Sequence, residues 1–110
     1  MRIANEAEVA LMLADIANSY RKARAKHAPM RGPHEGYAVL LEEFDELWDE
    51  IKQWQPEPKH PFDAPPIMSQ AELDELLLQY HRNTARIRKE ALHVAAMSLA
   101  FLLEAVEYTE

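Results

Sequence analysis

The sequence predicts an all-α protein: a bundle of about four helices, completed by dimerisation. Apolar residues recur at spacings of three and four, only two of the 110 residues are glycine, and no stretch alternates in the manner of a β-strand. A chain of this length makes one domain, residues 1–110, with a small core that a partner would extend.

A first helix is predicted from about Ala4 to His27, because one side of it is small and apolar. That side consists of Ile3, Ala7, Ala10, Leu11, Ala14, Ala17 and Tyr20. The stretch "RKARAKH" places cations at the carbonyl end of the helix dipole. Pro29, Gly32 and Pro33 then interrupt the chain.

The second predicted helix is "HEGYAVLLEEFDELWDEIK", residues 34–52. Its expected buried stripe is Tyr37, Leu40, Leu41, Phe44, Leu47, Trp48 and Ile51. A proline-rich connector follows at about residues 53–69, where five of the seven prolines exclude a regular element. Ser69 and Glu72 then form a capping box, which opens a third helix with Leu73, Leu76, Leu77 and Tyr80 inward.

A fourth helix is predicted from about Thr84 to Tyr108, with a break or kink before it at "HRNTA". That junction contains no strong helix breaker, so one long helix is the alternative. Between Ala91 and Leu103 this helix is apolar on nearly every side, so we expect other helices to surround it. Three neighbours, one of them short, barely surround it. Dimerisation would complete the burial.

Composition limits the classes of partner. The formal net charge of −7 argues against nucleic acid, whose phosphates need a basic surface. The absence of cysteine excludes disulfides and thiolate sites. The first residues lack the order of a signal peptide, and the longest apolar run, "ALHVAAMSLAFLL", is too short to span a bilayer. We therefore expect a cytoplasmic protein with no membrane partner.

Carboxylates crowd the second helix, where Glu43, Glu46 and Glu50 fall on one flank. Alone, such residues usually form a solvated acidic face. The fourth helix changes the interpretation, because Glu90 and His93 lie one turn apart on a stripe with Met97 and Glu104. An isolated buried histidine is ordinarily satisfied by a hydrogen bond. Opposite two glutamates, however, His93 becomes a candidate ligand in an oxygen-rich divalent-cation site.

The second helix followed by "RKEALHVAAMSLAFL" resembles the MazG-like all-α nucleoside triphosphate pyrophosphohydrolases. That family carries E-x-x-E on one helix and E-x-x-D on a following helix, and assembles as dimers or higher oligomers. The resemblance implies Mg²⁺- or Mn²⁺-dependent hydrolysis of a (deoxy)nucleoside triphosphate to monophosphate and pyrophosphate by a homodimer or homotetramer. It covers the second and fourth predicted helices, about a third of the chain.

Carried over by position, the resemblance implies Glu43, Glu46 and Glu90 as metal ligands, with His93 where the family has aspartate. Imidazole binds Mn²⁺ but is a poor ligand for Mg²⁺. Activity would then be weak, manganese-preferring or lost, unless Glu50 supplies the missing oxygen. Glu46 is the first candidate for the catalytic proton acceptor, and Glu42 and Glu50 are additional acidic candidates.

Candidates for contacting phosphate are the cations near helix ends, Lys22, Lys26, Arg86 and Lys89, although each would equally serve as an ordinary dipole-complementing surface residue. Trp48, Trp54 or Tyr37 would stack on a base, but core packing is the more ordinary role of Trp48 and Tyr37.

Two other functions remain open. Glu90-x-x-His93 has the spacing of ferritin-like di-metal bundles, and a catalytically inert helical interaction module would fit a lost metal site.

Overall fold

The computed structural model describes residues 2–58 and 69–106, and every regular element within these ranges is helical. Helix α1 spans Glu6–Lys26, α2 spans Pro33–Lys52 and α3 spans Gln70–Ala100, and a π-helical turn, Phe101–Ala105, continues α3. The all-α class is confirmed. Most of the predicted connector and the predicted end of the fourth helix lie outside the described residues. None of the helices described is long and apolar enough to cross a membrane.

Each helix begins where its sequence favours a start. Asn5 caps α1 by accepting a hydrogen bond of 2.9 Å from the Glu8 N–H. Pro33 occupies the first turn of α2, where its missing N–H costs no helical hydrogen bond. The predicted capping box at the start of α3 is confirmed, since Ser69 and Glu72 each accept from the other's backbone N–H.

The predicted break at "HRNTA" is wrong, because α3 runs through it without interruption. Asn83, in the middle of that stretch, is buried. Its side-chain oxygen accepts a hydrogen bond of 2.9 Å from Gln79, and its amide nitrogen donates to the Gln53 carbonyl at 3.4 Å. Asn83, a polar residue within the predicted break, therefore forms a hydrogen bond that joins the end of α2 to the middle of α3.

Helices α1 and α2 both pack on α3, and among the described residues no Cα of α1 lies within 8 Å of a Cα of α2. The space between them is a trough with α3 as its floor. The core beneath one end of the trough is small, formed by Met30, Ala100 and Ala105, with Tyr20, Val39, Met97 and Phe101 packed around it.

A buried carboxylate joins the end of α1 to the end of α3. Glu104, on the π-helical turn, has a side chain only 9% exposed. It forms an ion pair with Arg24, accepts a hydrogen bond of 2.6 Å from the Tyr20 hydroxyl, and accepts another of 3.0 Å from the Met30 N–H. Burial alone would raise the pKa of Glu104, but these hydrogen bonds outweigh it and lower the pKa. Glu104 thus stays ionised and fixes the α1–α2 loop.

The predicted buried stripe of α2 is only half covered. Leu40 and Leu47 are partly buried, on the same side of α2 as Gly36 and Glu43. The other half is 40–64% exposed, and we call it the outer stripe: Tyr37, Leu41, Phe44, Trp48 and Ile51. The prediction that one chain buries these five is wrong, because α2 packs on α3 along one side only.

The same correction applies to the other predicted core positions at the ends of the bundle. Ile3 and Leu11, predicted to face inward from the first helix, are 88% and 69% exposed. Leu102 and Leu103, in the segment expected to be surrounded, are also largely exposed. Only two helices contact α3 in the part of the chain that the structure describes, too few to surround it.

Candidate metal centre and adjoining cavities

Three predicted ligands converge where α2 crosses α3. Glu43 Oε2 lies 3.9 Å from His93 Nδ1, and Glu90 Oε2 lies 3.4 Å from the same nitrogen. One ligand atom from each of the three residues lies within 4.8 Å of the other two. Ligands about 2.1 Å from one octahedral ion are separated by about 3 Å when adjacent and about 4 Å when opposite. Small side-chain adjustments would bring these three atoms onto a single cation.

The two carboxylate oxygens that face His93 are buried and accept no hydrogen bond. Their side chains are 21% and 17% exposed, while that of His93 is 37% exposed. A buried acceptor without a partner costs about 1–3 kcal/mol. A divalent cation would satisfy Glu43 and Glu90 together, so the donor set fits the ion that the sequence predicts.

The electrostatics of Glu43 agree with this geometry. Burial raises the pKa of its carboxyl group, and the neighbouring charge of Glu46 adds to the rise. Glu90 acts in the same direction, while His93 opposes it. Within the described residues, like charges are therefore brought together, and His93 offsets them only in part.

The remaining predicted carboxylates lie around this cluster rather than in it. Glu46 is exposed one turn along α2 from Glu43. Glu50 is partly buried and lies two turns from Glu43, and Glu42 is exposed. Of these three, only Glu46 and Glu42 contribute to the raised pKa of Glu43.

A first cavity of about 320 Å³ opens beside the cluster. Glu43, His93 and Met97 form one part of its lining, and α1 supplies the rest: Ser19, Lys22, Ala23, Lys26 and His27. The α1 residues belong to one helical face, at spacings of three and four. The structure thus brings two of the four predicted phosphate-binding cations, Lys22 and Lys26, next to two of the three converging residues.

A second cavity of about 400 Å³ adjoins the first. The two share Ala23, His27, Glu43 and Met97 in their linings. The second is otherwise lined by the last turn of α1, the α1–α2 loop and the first half of α2: Arg24, Ala28, Met30, Glu35, Val39 and Glu42. Together they form a continuous trough between α1 and α2 that passes directly over Glu43.

The structure does not bring the other two predicted cations to the trough. Lys89 lines a separate groove between α1 and α3, and Arg86 is exposed on α3. The aromatic residues considered for base stacking, Tyr37, Trp48 and Trp54, are exposed and line neither cavity.

Sequence reasoning missed three features of this region. His27 and Met97 line both cavities, and Arg24 with Glu104 fixes the loop that forms the wall of the second. Helical spacing alone places Lys22 and Lys26 on the same face as Ser19, so the α1 side of the first cavity could have been predicted from the sequence. The pairing of Arg24 with Glu104 joins residues 80 apart in sequence, and no local pattern indicates it.

Comparisons of the chain with models of protein families, with curated proteins and with solved structures gave no match. The resemblance to MazG-like pyrophosphohydrolases therefore depends on the residues of α2 and on the segment "RKEALHVAAMSLAFL" of α3 and the turn after it.

Proposed function

We propose that this protein hydrolyses a (deoxy)nucleoside triphosphate to the monophosphate and pyrophosphate, using Mg²⁺ or Mn²⁺. The observation that carries the proposal is the pair of buried carboxylate oxygens on Glu43 and Glu90, which have no hydrogen-bond partner and converge on His93 Nδ1. A cation site would satisfy both of these oxygens at once, which supports the proposal.

The surroundings of the cluster favour a polyphosphate over other anions. Lys22 and Lys26 line the first cavity opposite Glu43 and His93, so an elongated anion would contact the lysines and the bound metal at once. The second cavity extends the trough by about 400 Å³. That space suits the nucleoside attached to the phosphates, because cavities of about 300–1,000 Å³ are typical of small-molecule sites.

Each group in the trough then has a distinct role. Glu43, Glu90 and His93 would hold the cation, and Lys22 and Lys26 would orient the phosphate chain. The bound metal would neutralise phosphate charge and acidify the attacking water. Glu46, exposed one turn from Glu43 and outside the three-atom cluster, keeps a carboxylate free to accept the proton of that water.

His93 determines the expected choice of metal. Mg²⁺ strongly prefers oxygen ligands, whereas Mn²⁺ accepts an imidazole nitrogen readily. With a nitrogen at one of the three converging positions, Mn²⁺ should support greater activity than Mg²⁺.

A second copy of the chain is part of the proposal. The outer stripe, residues 37, 41, 44, 48 and 51, repeats at spacings of four and three, which is the pattern of a helix that packs against another helix along its length. Its three aromatic side chains are each about half exposed, so they alone offer on the order of 300 Å² of apolar surface. Such a stripe favours a homodimer or homotetramer.

One geometric feature also favours the ferritin-like alternative. Glu43 together with Glu90-x-x-His93 makes half of the ligand set used by di-metal bundles. Two observations separate the functions. Purified protein that carries iron with an oxo-bridge absorption band would support the alternative, and pyrophosphate release would support the hydrolase.

The test is pyrophosphate release across a panel of ribo- and deoxynucleoside triphosphates, with Mg²⁺ and Mn²⁺ in parallel. We expect turnover that requires metal, is faster with Mn²⁺, and disappears in the Glu43→Gln, Glu46→Gln double variant. Glu75→Gln, an exposed carboxylate on α3 outside the trough, is the matched control and should retain full activity. Equal rates in the parent and the double variant would refute the proposed site.

A further inference from the structure

The second cavity has a polarity that bears on which nucleobase enters it. Glu35, Val39 and Glu42 of α2 line this cavity, and Met30 and Met97 contribute apolar side chains to the same lining. Apolar side chains that include methionine sulfur suit an aromatic ring. The polar side chains that α2 contributes to this cavity are carboxylates, which accept hydrogen bonds and donate none while ionised.

The donors at this end of the trough are largely committed elsewhere. Arg24 directs its guanidinium to Glu104 and donates 2.7 Å to the carbonyl of His27. The backbone N–H of Met30 also donates to Glu104. Apart from His27, which lines the part shared with the first cavity, the ionisable side chains of the second cavity are therefore two carboxylate acceptors and a guanidinium already directed to Glu104.

The two acceptors are not equivalent. Glu35 already forms an ion pair with Arg31 at 2.9 Å. Glu42 is exposed at the cavity, next in sequence to the proposed ligand Glu43. Glu42 is thus the acceptor best placed to meet the edge of a base whose phosphates lie over the cluster.

We propose that the trough binds its nucleotide in one direction, with phosphates between Lys22, Lys26 and the cluster and the base in the second cavity, and that Glu42 selects bases with an exocyclic amine at C4 of a pyrimidine or C6 of a purine. The class comprises cytosine and adenine. Uracil, thymine and hypoxanthine carry a carbonyl oxygen where the amine of cytosine or adenine would be, and two acceptors facing each other repel. This inference rests on the proposed function, and it adds the specificity of the same site.

The experiment uses matched pairs that differ by one amino-to-oxo exchange: CTP with UTP, and ATP with ITP. With the full chain and Mn²⁺, kcat/KM for pyrophosphate release should favour the amine-bearing member of each pair by roughly tenfold or more. In Glu42→Gln the ratio should fall toward one, because an amide offers a donor as well as an acceptor. Glu42→Asp keeps the carboxylate and should retain the direction of the preference.

Binding of the monophosphates, measured by calorimetry with Mn²⁺, separates this inference from the proposed function. Hydrolysis of all four nucleotides at equal kcat/KM, or a preference unchanged by Glu42→Gln, would overturn the base assignment while leaving the hydrolase standing. Tighter binding of CMP than UMP without any pyrophosphate release would support the base site and refute hydrolysis. Equal binding of CMP and UMP would overturn the base site whatever the activity.

Discussion

At the scale of single residues, ionised Glu43 destabilises the metal-free fold, and the proposed cation would offset that cost. Burial, the charge of Glu46 and that of Glu90 raise its pKa in the fold, so its ionised form is less stable there than in the unfolded chain. The cation of the proposed function would reverse this, because it would bind the ionised form. A residue that weakens the fold until its ligand arrives is typical of a binding site.

The first prediction concerns the effect of Glu43 on the stability of the metal-free protein. In chelator, Glu43→Gln should raise the free energy of unfolding at neutral pH by about 1 kcal/mol, because it removes a buried charge. A raised pKa destabilises the fold above the unfolded-state pKa, so the gain should be complete above the raised folded pKa. The gain in unfolding free energy should vanish as the pH falls below the pKa of glutamate in the unfolded chain. Urea denaturation from pH 3 to pH 8 measures it.

Glu75→Gln is the control for that series, since Glu75 is exposed on α3, and its unfolding free energy should match that of the parent at every pH. A Glu43→Gln protein that is less stable than the parent at neutral pH without metal would contradict the account of the cluster.

Sequence reasoning named Glu43, Glu90 and His93 from helix spacing, which fixes the residues that share a face, together with the resemblance to the pyrophosphohydrolases. It did not separate these three from Glu46 and Glu50. All the carboxylates on α2 have similar local patterns, and only the crossing of α2 over α3 decides which of them is buried.

At the scale of elements, Gly36 sets how closely α2 approaches the end of α3. A Cβ at this position would lie 2.6 Å from Phe101 Cδ2 and 3.0 Å from the Ala105 Cβ, well inside van der Waals contact. Gly36 also belongs to the first turns of α2, from which Val39 and Glu42 reach the second cavity. The close packing of α2 on the π-helical turn thus positions the trough wall.

The second prediction concerns this contact. Gly36→Ala should lower the free energy of unfolding by about 1–3 kcal/mol through overpacking, although alanine is the better helix former. Ala38→Gly, at an exposed position of the same helix, should lower it by about 1 kcal/mol through helix propensity alone. Denaturant unfolding of both variants is the measurement. A Gly36→Ala protein more stable than the parent would show that the helices do not approach this closely.

The bounds of α1 and α2 could be predicted within about two residues, because caps, prolines and apolar spacing agree there. The sequence left the continuity of α3 open, because "HRNTA" contains no strong helix breaker yet is polar throughout most of its length. The hydrogen bond from Asn83 to the Gln53 carbonyl joins residues 30 apart in sequence, and no local pattern indicates it.

At the scale of the whole molecule, the described chain is extended. Its Cα radius of gyration is 18.7 Å, whereas a compact domain of this length has about 13 Å. Much of its large apolar surface is exposed, including all of the outer stripe. The fold class could be predicted from periodicity, but the apolar stripes do not reveal which half each chain buries and which half it leaves for a partner.

The third prediction is that the outer stripe holds two copies together. Phe44→Ser, Trp48→Ser should convert the parent dimer or tetramer to a smaller species in sedimentation equilibrium, while far-UV circular dichroism keeps its helical signal. Leu11→Ser, at an exposed apolar position on α1, is the matched control and should keep the parent mass. A parent that sediments as a monomer at tens of micromolar would contradict the interface.

The central claim, that carboxylates from two helices share a divalent cation with His93, is tested most directly by titrating the nucleotide-free protein with Mn²⁺ and following free Mn²⁺ by electron paramagnetic resonance. We expect saturable binding in the parent and in Glu75→Gln, and affinity at least about tenfold weaker in Glu43→Gln and in Glu90→Gln, each of which removes one ligand. Equal Mn²⁺ affinity in all four proteins, or no binding by the parent at millimolar Mn²⁺, would contradict the claim.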